Sequence, residues 1–201
     1  MEIKFTGAGK IQRITIPDDM VFRGSLNLSD MGLTELPDLS AVTVTGDFIC
    51  RRNGLTSLQG APRSVGGNFS CGSNGLTSLQ GAPQSVGGDF YCGFNQLTSL
   101  QGAPQSVGGY FDCSSNQLTS LQGAPQSVGE SFYCGSNRLT SLVGAPQKIG
   151  GDFICDDDLL RQEYQKMISE RKKCSIKFKN AAAKLLVEKQ QLSKPDSGYD
   201  I

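Results

Sequence analysis

Cysteine is the residue type in this sequence with the clearest potential for chemistry. Six of the seven cysteines recur every 21 residues, at Cys50, Cys71, Cys92, Cys113, Cys134 and Cys155. In parallel strands paired in register, neighbouring Cβ atoms lie about 4.8 Å apart, whereas a disulfide prefers about 3.8 Å. The sequence contains no histidine and no Cys-x-x-Cys pair that would complete a zinc site. We therefore predict buried thiols, with no disulfide, metal or cofactor.

The lack of histidine also removes the commonest general bases and nucleophile partners. An enzyme hypothesis rests on Cys174, which follows Lys172 and Lys173, because neighbouring positive charge lowers a thiol pKa. No base or oxyanion donor accompanies this cysteine, so we predict that the chain is not an enzyme. The recurring Gly-Gly pairs precede neither a helix nor a Lys-Ser/Thr pair, and they indicate turns rather than a phosphate-binding loop.

The cysteines belong to a repeat that occupies most of the chain. Near copies of Leu-Thr-Ser-Leu-Gln-Gly-Ala-Pro-Gln-Ser-Val-Gly-Gly-Asp-Phe-Tyr-Cys begin at Leu55, Leu76, Leu97, Leu118 and Leu139. Within each unit Phe and Cys are two residues apart, so both point to the same side of a short strand. Stacked coils then form one interior column of phenylalanines and another of cysteines. The asparagine three residues after each cysteine is expected to bond backbone groups where the chain leaves the strand.

These features predict a β-rich solenoid of about seven coils over residues 26–158, with little helix in the repeats. The first coil is a degenerate unit that begins at Leu26. The Gly-Gly and Gly-Ala-Pro stretches predict extended or polyproline-like backs to the coils. Residues 1–25 are expected to form a cap containing a β-hairpin, with strands at 2–5 and 10–16.

Repetition stops after Asp158, where residues 159–192 predict two short amphipathic helices and 193–201 a flexible tail. The first helix has an apolar stripe through Leu160 and Tyr164. Residues 1–158 carry 9 basic and 14 acidic side chains, and the remainder carries 10 and 5, so the net charge of zero conceals an acidic solenoid and basic helices. The simplest interpretation is a solvated helical face; contact with nucleic acid is the alternative, weakened by the scarcity of aromatic residues.

Neither an apolar leader nor an apolar run of about 18–20 residues is present, which predicts a cytoplasmic protein without a membrane partner. The sequence of the repeat resembles the short bacterial leucine-rich repeats of type III secreted effectors. It is closer still to leucine-rich repeats in tailed-bacteriophage genomes, and the resemblance covers roughly residues 26–158. The effectors' ubiquitin ligase domain is not expected here, because the segment after Asp158 is short and Cys174 lacks the Cys-x-Asp motif.

The resemblance implies a non-catalytic protein-interaction module. We expect a phage-encoded inhibitor that occludes a host protein or protein complex, such as a defence or nuclease complex, in the host cytoplasm. A structural component of the virion or its assembly is the alternative. Either the sheet of the solenoid or the basic helices would make the main contact.

Outward positions that differ between otherwise near-identical coils are candidates for the binding surface, because residues needed only for folding would repeat. Three of the five tyrosines lie at such positions, and Phe94 replaces the serine of Ser73, Ser115 and Ser136. Exposed aromatic side chains bury much area with little loss of rotamer freedom, although tyrosine is also simply favoured in strands. The predicted partner-binding residues are the aromatic Tyr91, Phe94, Tyr110 and Tyr133, the basic Arg51, Arg52 and Arg138, and the acidic Asp112, Asp156 and Asp157.

Overall fold

A computed structural model describes residues 2–7 and 10–173 of the chain. The described residues form a parallel β-solenoid, with an antiparallel hairpin before it and a helix after it in sequence, which confirms the predicted fold class. The chain divides into two units, Met1–Arg161 and Gln162–Ile201.

The hairpin consists of β1 (Glu2–Gly7) and β2 (Lys10–Thr15), paired so that Glu2 lies opposite Thr15. An ion pair of 3.8 Å joins the side chains of Arg13 and Glu2. Ile14 and Ile16 are buried, because alternate residues of this segment face the same side. The predicted hairpin is therefore present.

Two short strands in each coil build the solenoid. In chain order they are β3 (Val21–Phe22), β4 (Leu26–Asn27), β5 (Thr43–Val44), β6 (Phe48–Ile49), β7 (Ser64–Val65), β8 (Phe69–Ser70), β9 (Ser85–Val86), β10 (Phe90–Tyr91), β11 (Ser106–Val107), β12 (Phe111–Asp112), β13 (Ser127–Val128), β14 (Phe132–Tyr133), β15 (Lys148–Ile149) and β16 (Phe153–Ile154). The even-numbered strands from β4 to β16 form one seven-stranded parallel sheet, here called the Phe sheet. The odd-numbered strands from β3 to β15 form a second seven-stranded parallel sheet, the Val sheet.

The Phe sheet matches the seven strands expected from the repeat. The Val sheet was not predicted: the segments expected to be merely extended or polyproline-like pair with one another instead. Stacking places identical Ser-Val segments side by side, as where Val107 lies opposite Val128, and β-branched valine suits a pleated surface. The Gly-Gly pairs connect the two sheets, and a Cβ atom on Gly108 would overlap the carbonyl oxygen of Gly87. Glycine is required there because successive backbones approach too closely for a side chain.

The core consists of in-register columns. The phenylalanine rings of the Phe sheet stack with centroid separations between 5.0 and 5.8 Å. The six repeated cysteines are free and buried, which confirms them as thiols rather than disulfides. Burial raises the pKa of Cys50 to about 12, so this side chain is neutral and behaves as a small apolar group.

The asparagine column satisfies backbone groups at the end of each Phe-sheet strand, as predicted. The side-chain nitrogen of Asn74 donates to the carbonyl oxygens of Cys50 at 3.1 Å and Cys71 at 3.0 Å. Its side-chain oxygen accepts from the backbone N–H groups of Asn53 and Leu55 at 3.1 and 3.2 Å. One amide therefore ties two coils together at a partly buried bend.

Helix α1 is described over residues 158–173. The Asp157 carboxylate caps it by accepting from the N–H groups of Leu159 at 2.7 Å and Leu160 at 3.1 Å. Leu160 and Tyr164 are buried, in agreement with the predicted stripe of the first helix. The predicted second helix, the tail and Cys174 lie outside the described residues. Over the described part of the chain, no helix combines the length and apolar character needed to cross a membrane.

Candidate functional site

The outward face of the Phe sheet presents one row of variable residues per coil. In the coil of β10, Phe90 and Cys92 are fully buried, whereas Tyr91 between them is half-buried and faces outward. The strand period of two residues produces this alternation. The outward row of each coil also includes the residue before Phe and the two residues after Cys.

A cleft of about 480 Å³ lies on this face, where three consecutive coils differ in side-chain size. Its floor is the coil of β8, whose outward residues Ser70, Gly72 and Ser73 are all small. The coil of β6 forms one wall and the coil of β10 forms the other. Because adjacent coils are about 4.8 Å apart, the two walls stand about 10 Å apart.

The β6 wall carries Ile49, Arg51 and Arg52. Both arginines are exposed, and neither makes a salt bridge with any residue that the structure describes. A guanidinium has five donors in a planar fork that matches a carboxylate. This wall therefore presents two available cations beside a branched apolar side chain.

The β10 wall carries Tyr91 and Phe94. The Tyr91 hydroxyl donates to the Asp89 carboxylate at 2.7 Å, which fixes the ring. Burial, together with this bond, raises the pKa of Tyr91 to about 12. Phe94 is 69% exposed, the second highest value among the exposed large apolar residues of the described chain. The wall thus combines one anchored aromatic ring with one open to solvent.

Phe94 also has an unusual backbone conformation. Its φ of 58° lies in the left-handed region, as do the equivalent corner residues Arg52, Ser73, Ser115 and Ser136. The corner points the N–H of Phe94 to the carbonyl oxygen of Ser114 at 3.1 Å, so the coil geometry imposes the conformation. A left-handed residue other than glycine costs about 1–2 kcal/mol, and a bulky one is a clear outlier. The exposed ring of Phe94 gains little burial to offset that cost.

Asp112 lies on the next coil, that of β12, at the far edge of the cleft. Its Oδ1 accepts from the N–H of Ser114 at 2.8 Å. The structure therefore brings together five of the ten predicted residues: Arg51, Arg52, Tyr91, Phe94 and Asp112.

The other five predicted residues lie away from the cleft lining. Tyr110 and Tyr133 contact each other, with ring centroids 5.9 Å apart, and the carboxylate of Glu130 raises the pKa of Tyr110. Arg138 is exposed on a later coil. The two acidic residues bond backbone groups, because Asp156 accepts from the N–H of Ser136 and Asp157 caps α1.

The residue before each Phe varies, yet in several coils it has a structural role. Asp47 Oδ1 accepts from the N–H of Asn68, Asn68 Oδ1 from that of Asp89, and Asp89 Oδ1 from that of Tyr110, each at 2.8 Å. Aspartate and asparagine supply the same acceptor oxygen, so they exchange freely here. Variation alone therefore does not identify the binding surface.

Sequence reasoning missed the cleft itself and its floor. It singled out large side chains, whereas the cleft exists because Ser70, Gly72 and Ser73 are small. The available signal was one coil with small residues at Ser70, Gly72 and Ser73, between a coil with two arginines and a coil with two outward aromatic residues.

Among the described residues, no group of three or more histidine, cysteine, aspartate or glutamate side chains is arranged to hold a metal ion. Comparison with known proteins finds no matching family model, no matching curated protein and no matching solved structure. The arrangement of charge and aromatic surface at the cleft therefore carries the functional argument.

Proposed function

We propose that this chain is a non-catalytic protein-interaction module and that the cleft on the Phe sheet holds a segment of its partner. The observation that carries the proposal is Phe94, an exposed aromatic ring on a strained backbone position that is serine in three other coils. The coil geometry imposes the left-handed backbone here, but folding does not require a bulky aromatic residue on it, and strain of this kind is concentrated at functional sites. Beside this ring lies a pocket with two available arginines.

The composition of the cleft is that of a protein–protein hot spot. Arginine and aromatic residues dominate such sites, particularly around a depression that excludes water. Tyr91 is held by Asp89, so its ring loses little freedom on binding. A rigid stack of strands presents the cleft, which reduces the cost of ordering the surface.

Nucleic acid is a less suitable ligand for this cleft, because Asp47 and Asp112 also line it and would repel phosphates. The basic residues after Asp158 support a different contact, which remains the alternative prediction.

The identity of the partner is a finer proposal that depends on the sequence resemblance. The repeat sequences resemble those of tailed bacteriophages, which favours a partner in a bacterial host. We propose that the chain acts by occluding that protein or protein complex. A component of virions is the competing proposal. Mass spectrometry of purified particles separates the two, since only a virion component is present at stoichiometric level.

The test of the binding proposal compares the wild-type chain with Phe94→Ser, which introduces the residue found in three other coils. The matched control is Val143→Gln, which also restores a repeat residue at an exposed apolar position but lies outside the cleft lining. A host protein captured by the wild type is purified and its affinity measured by calorimetry. We expect Phe94→Ser to weaken binding about tenfold or more, and Val143→Gln to leave it unchanged. Equal affinity for wild type and Phe94→Ser would overturn the proposal.

A further inference from the structure

We infer that the cleft recognises an extended peptide segment in which a carboxylate, an apolar side chain and a cation occupy positions i, i+2 and i+4, read in either chain direction. The inference rests on the proposed protein-binding function and specifies the class of partner segment. Three observations carry it: the two available arginines on one wall, the apolar space above the small floor, and the carboxylate at the opposite edge.

The carboxylate of the peptide is placed at the β6 wall. Arg51 and Arg52 are adjacent in sequence and exposed, and neither has a carboxylate partner within the described chain. Arginine binds carboxylates through paired, charge-assisted hydrogen bonds. The nearby Asp47 accepts from the N–H of Asn68 through its Oδ1, and among the described residues no salt bridge joins Asp47 to either arginine.

The apolar side chain of the peptide is placed at the centre. Ser70 and Gly72 leave space between Ile49 on one wall and Tyr91 on the other. A side chain inserted there contacts apolar surface on both sides, and Phe94 lies at the border of the same space. Aromatic rings in offset or tilted contact strengthen binding further, but burial of apolar area is the main source of affinity.

The cation of the peptide is placed at Asp112. One oxygen of this carboxylate accepts from the N–H of Ser114, and among the described residues its other oxygen has no hydrogen-bond donor. The hydroxyl of Tyr91 is directed to Asp89 rather than to Asp112. The carboxylate of Asp112 is therefore available to a lysine or arginine of the partner.

The spacing follows from the geometry of the coils. The coils of β6 and β12 are three steps apart in the sheet, which is about 14 Å at about 4.8 Å per step. An extended peptide rises about 3.3 Å per residue, so about four residues span that distance. Alternate side chains of an extended chain point to the same side, so residues i, i+2 and i+4 all face the sheet.

The experiment is a selection from a random peptide-display library against the intact chain. We expect enriched peptides to carry opposite charges two residues on either side of an apolar or aromatic residue. Synthetic copies of the enriched peptides are then compared with three kinds of control peptide. In these, both charged residues are acidic, both are basic, or the two charged residues directly flank the apolar residue. Each of these should bind about tenfold more weakly, as expected for loss of one charge-assisted contact.

Two variants assign the ends of the peptide. Arg51→Ser combined with Arg52→Ser introduces residues that other coils tolerate, and should abolish selection for the acidic position only. Asp112→Asn retains the oxygen that accepts from Ser114, and should abolish selection for the basic position only. Circular dichroism checks that both variants keep the wild-type fold.

Several results overturn the inference. These are enrichment of aromatic peptides without a charge pattern, absence of any enrichment, or stronger binding of a short single-stranded oligonucleotide than of the peptides. In each of these cases the proposed function still stands if Phe94→Ser weakens binding of the partner protein. Partner binding that is independent of Phe94 removes the proposed function, whatever the library yields.

Discussion

The two faces of the Phe sheet differ in how much residue variation they tolerate between coils. On the interior face, from β6 to β16, phenylalanine fills one column and cysteine another, and Phe48, Phe69, Phe90, Phe111 and Phe132 are all fully buried. On the outward face the same strands carry isoleucine, serine, tyrosine and aspartate at one position. Register stacking makes every interior residue the neighbour of its own equivalent, so a change there affects two contacts. The outward residues are constrained mainly where they bond the backbone, so the sequence can vary there while the fold is kept.

The largest expected effect on stability comes from ionising the buried cysteine thiols of the interior face. Burial raises the pKa of Cys50 to about 12 and raises those of Cys71, Cys92 and Cys113 as well. Unfolded thiols ionise near 8.5, so their folded pKa lies above the unfolded value. This contribution to stability is complete below about pH 8.5 and is lost as the pH rises towards about 12. We expect cooperative unfolding over that interval, followed by circular dichroism.

A control identifies the cysteine column as the source of the alkaline transition. Cys71→Ala removes one buried titratable group, so the stability of this variant should fall less steeply with pH than that of the wild type. Stability that stays constant between pH 8 and pH 11 would contradict the assignment.

The second prediction compares adjacent residues on opposite faces. Phe90 is fully buried and stacks on Phe69 at 5.0 Å and on Phe111 at 5.1 Å. Phe90→Ala should lower the free energy of unfolding by about 3–5 kcal/mol, because it leaves a cavity between two rings. Tyr91→Ala, one residue away on the outward face, should lower it by about 1 kcal/mol. Equal losses in urea denaturation would show that the two faces are equally constrained.

The third prediction concerns the asparagine column. The side-chain nitrogen of Asn95 donates to the carbonyl oxygens of Cys71 and Cys92, and its oxygen accepts from the N–H of Leu76. Asn95→Ala leaves these buried groups without partners and should cost about 2–3 kcal/mol. The exposed neighbour Gln96 is the control, and Gln96→Ala should change stability by less than about 0.5 kcal/mol. A similar, small effect for both would mean that water replaces the amide.

The smallest effect separates recognition from stability at one residue. Phe94→Gly relieves the left-handed conformation, and the gain is reduced by the extra freedom of glycine in the unfolded chain. We expect a rise of about 0.5 kcal/mol in the free energy of unfolding, together with loss of partner binding. Val143→Gln should change neither quantity. A decrease of more than about 1 kcal/mol for Phe94→Gly would indicate that the ring stabilises the fold.

The sequence carried most of the fold because its signal is periodic. A constant interval of 21 residues fixes which residues stack, and the Phe-x-Cys alternation fixes which side is interior. The Val sheet was missed since its strands lie between glycine and proline signals and lack the Phe-x-Cys alternation, so that pairing there depends on neighbouring coils. Local pattern contains no information about that long-range pairing.

The candidate site was less predictable than the fold. Tyr91, Phe94 and the two arginines were identifiable as departures from the repeat. The bond from the N–H of Ser136 to Asp156 depends on backbone geometry at the end of the solenoid. The cleft arises from missing side-chain volume in one coil between two others, and such a space becomes apparent only when the coils are stacked.

The identical columns have a consequence at the level of the gene. Near-identical repeats favour unequal recombination, and gain or loss of 21 codons would join interior surfaces that still match. The outward face lacks this symmetry. Loss of the coil that contains Ser70 and Gly72 would bring the arginine-bearing coil directly beside the coil of Tyr91 and remove the floor of the cleft. A single genetic event can therefore remove the cleft while the fold persists.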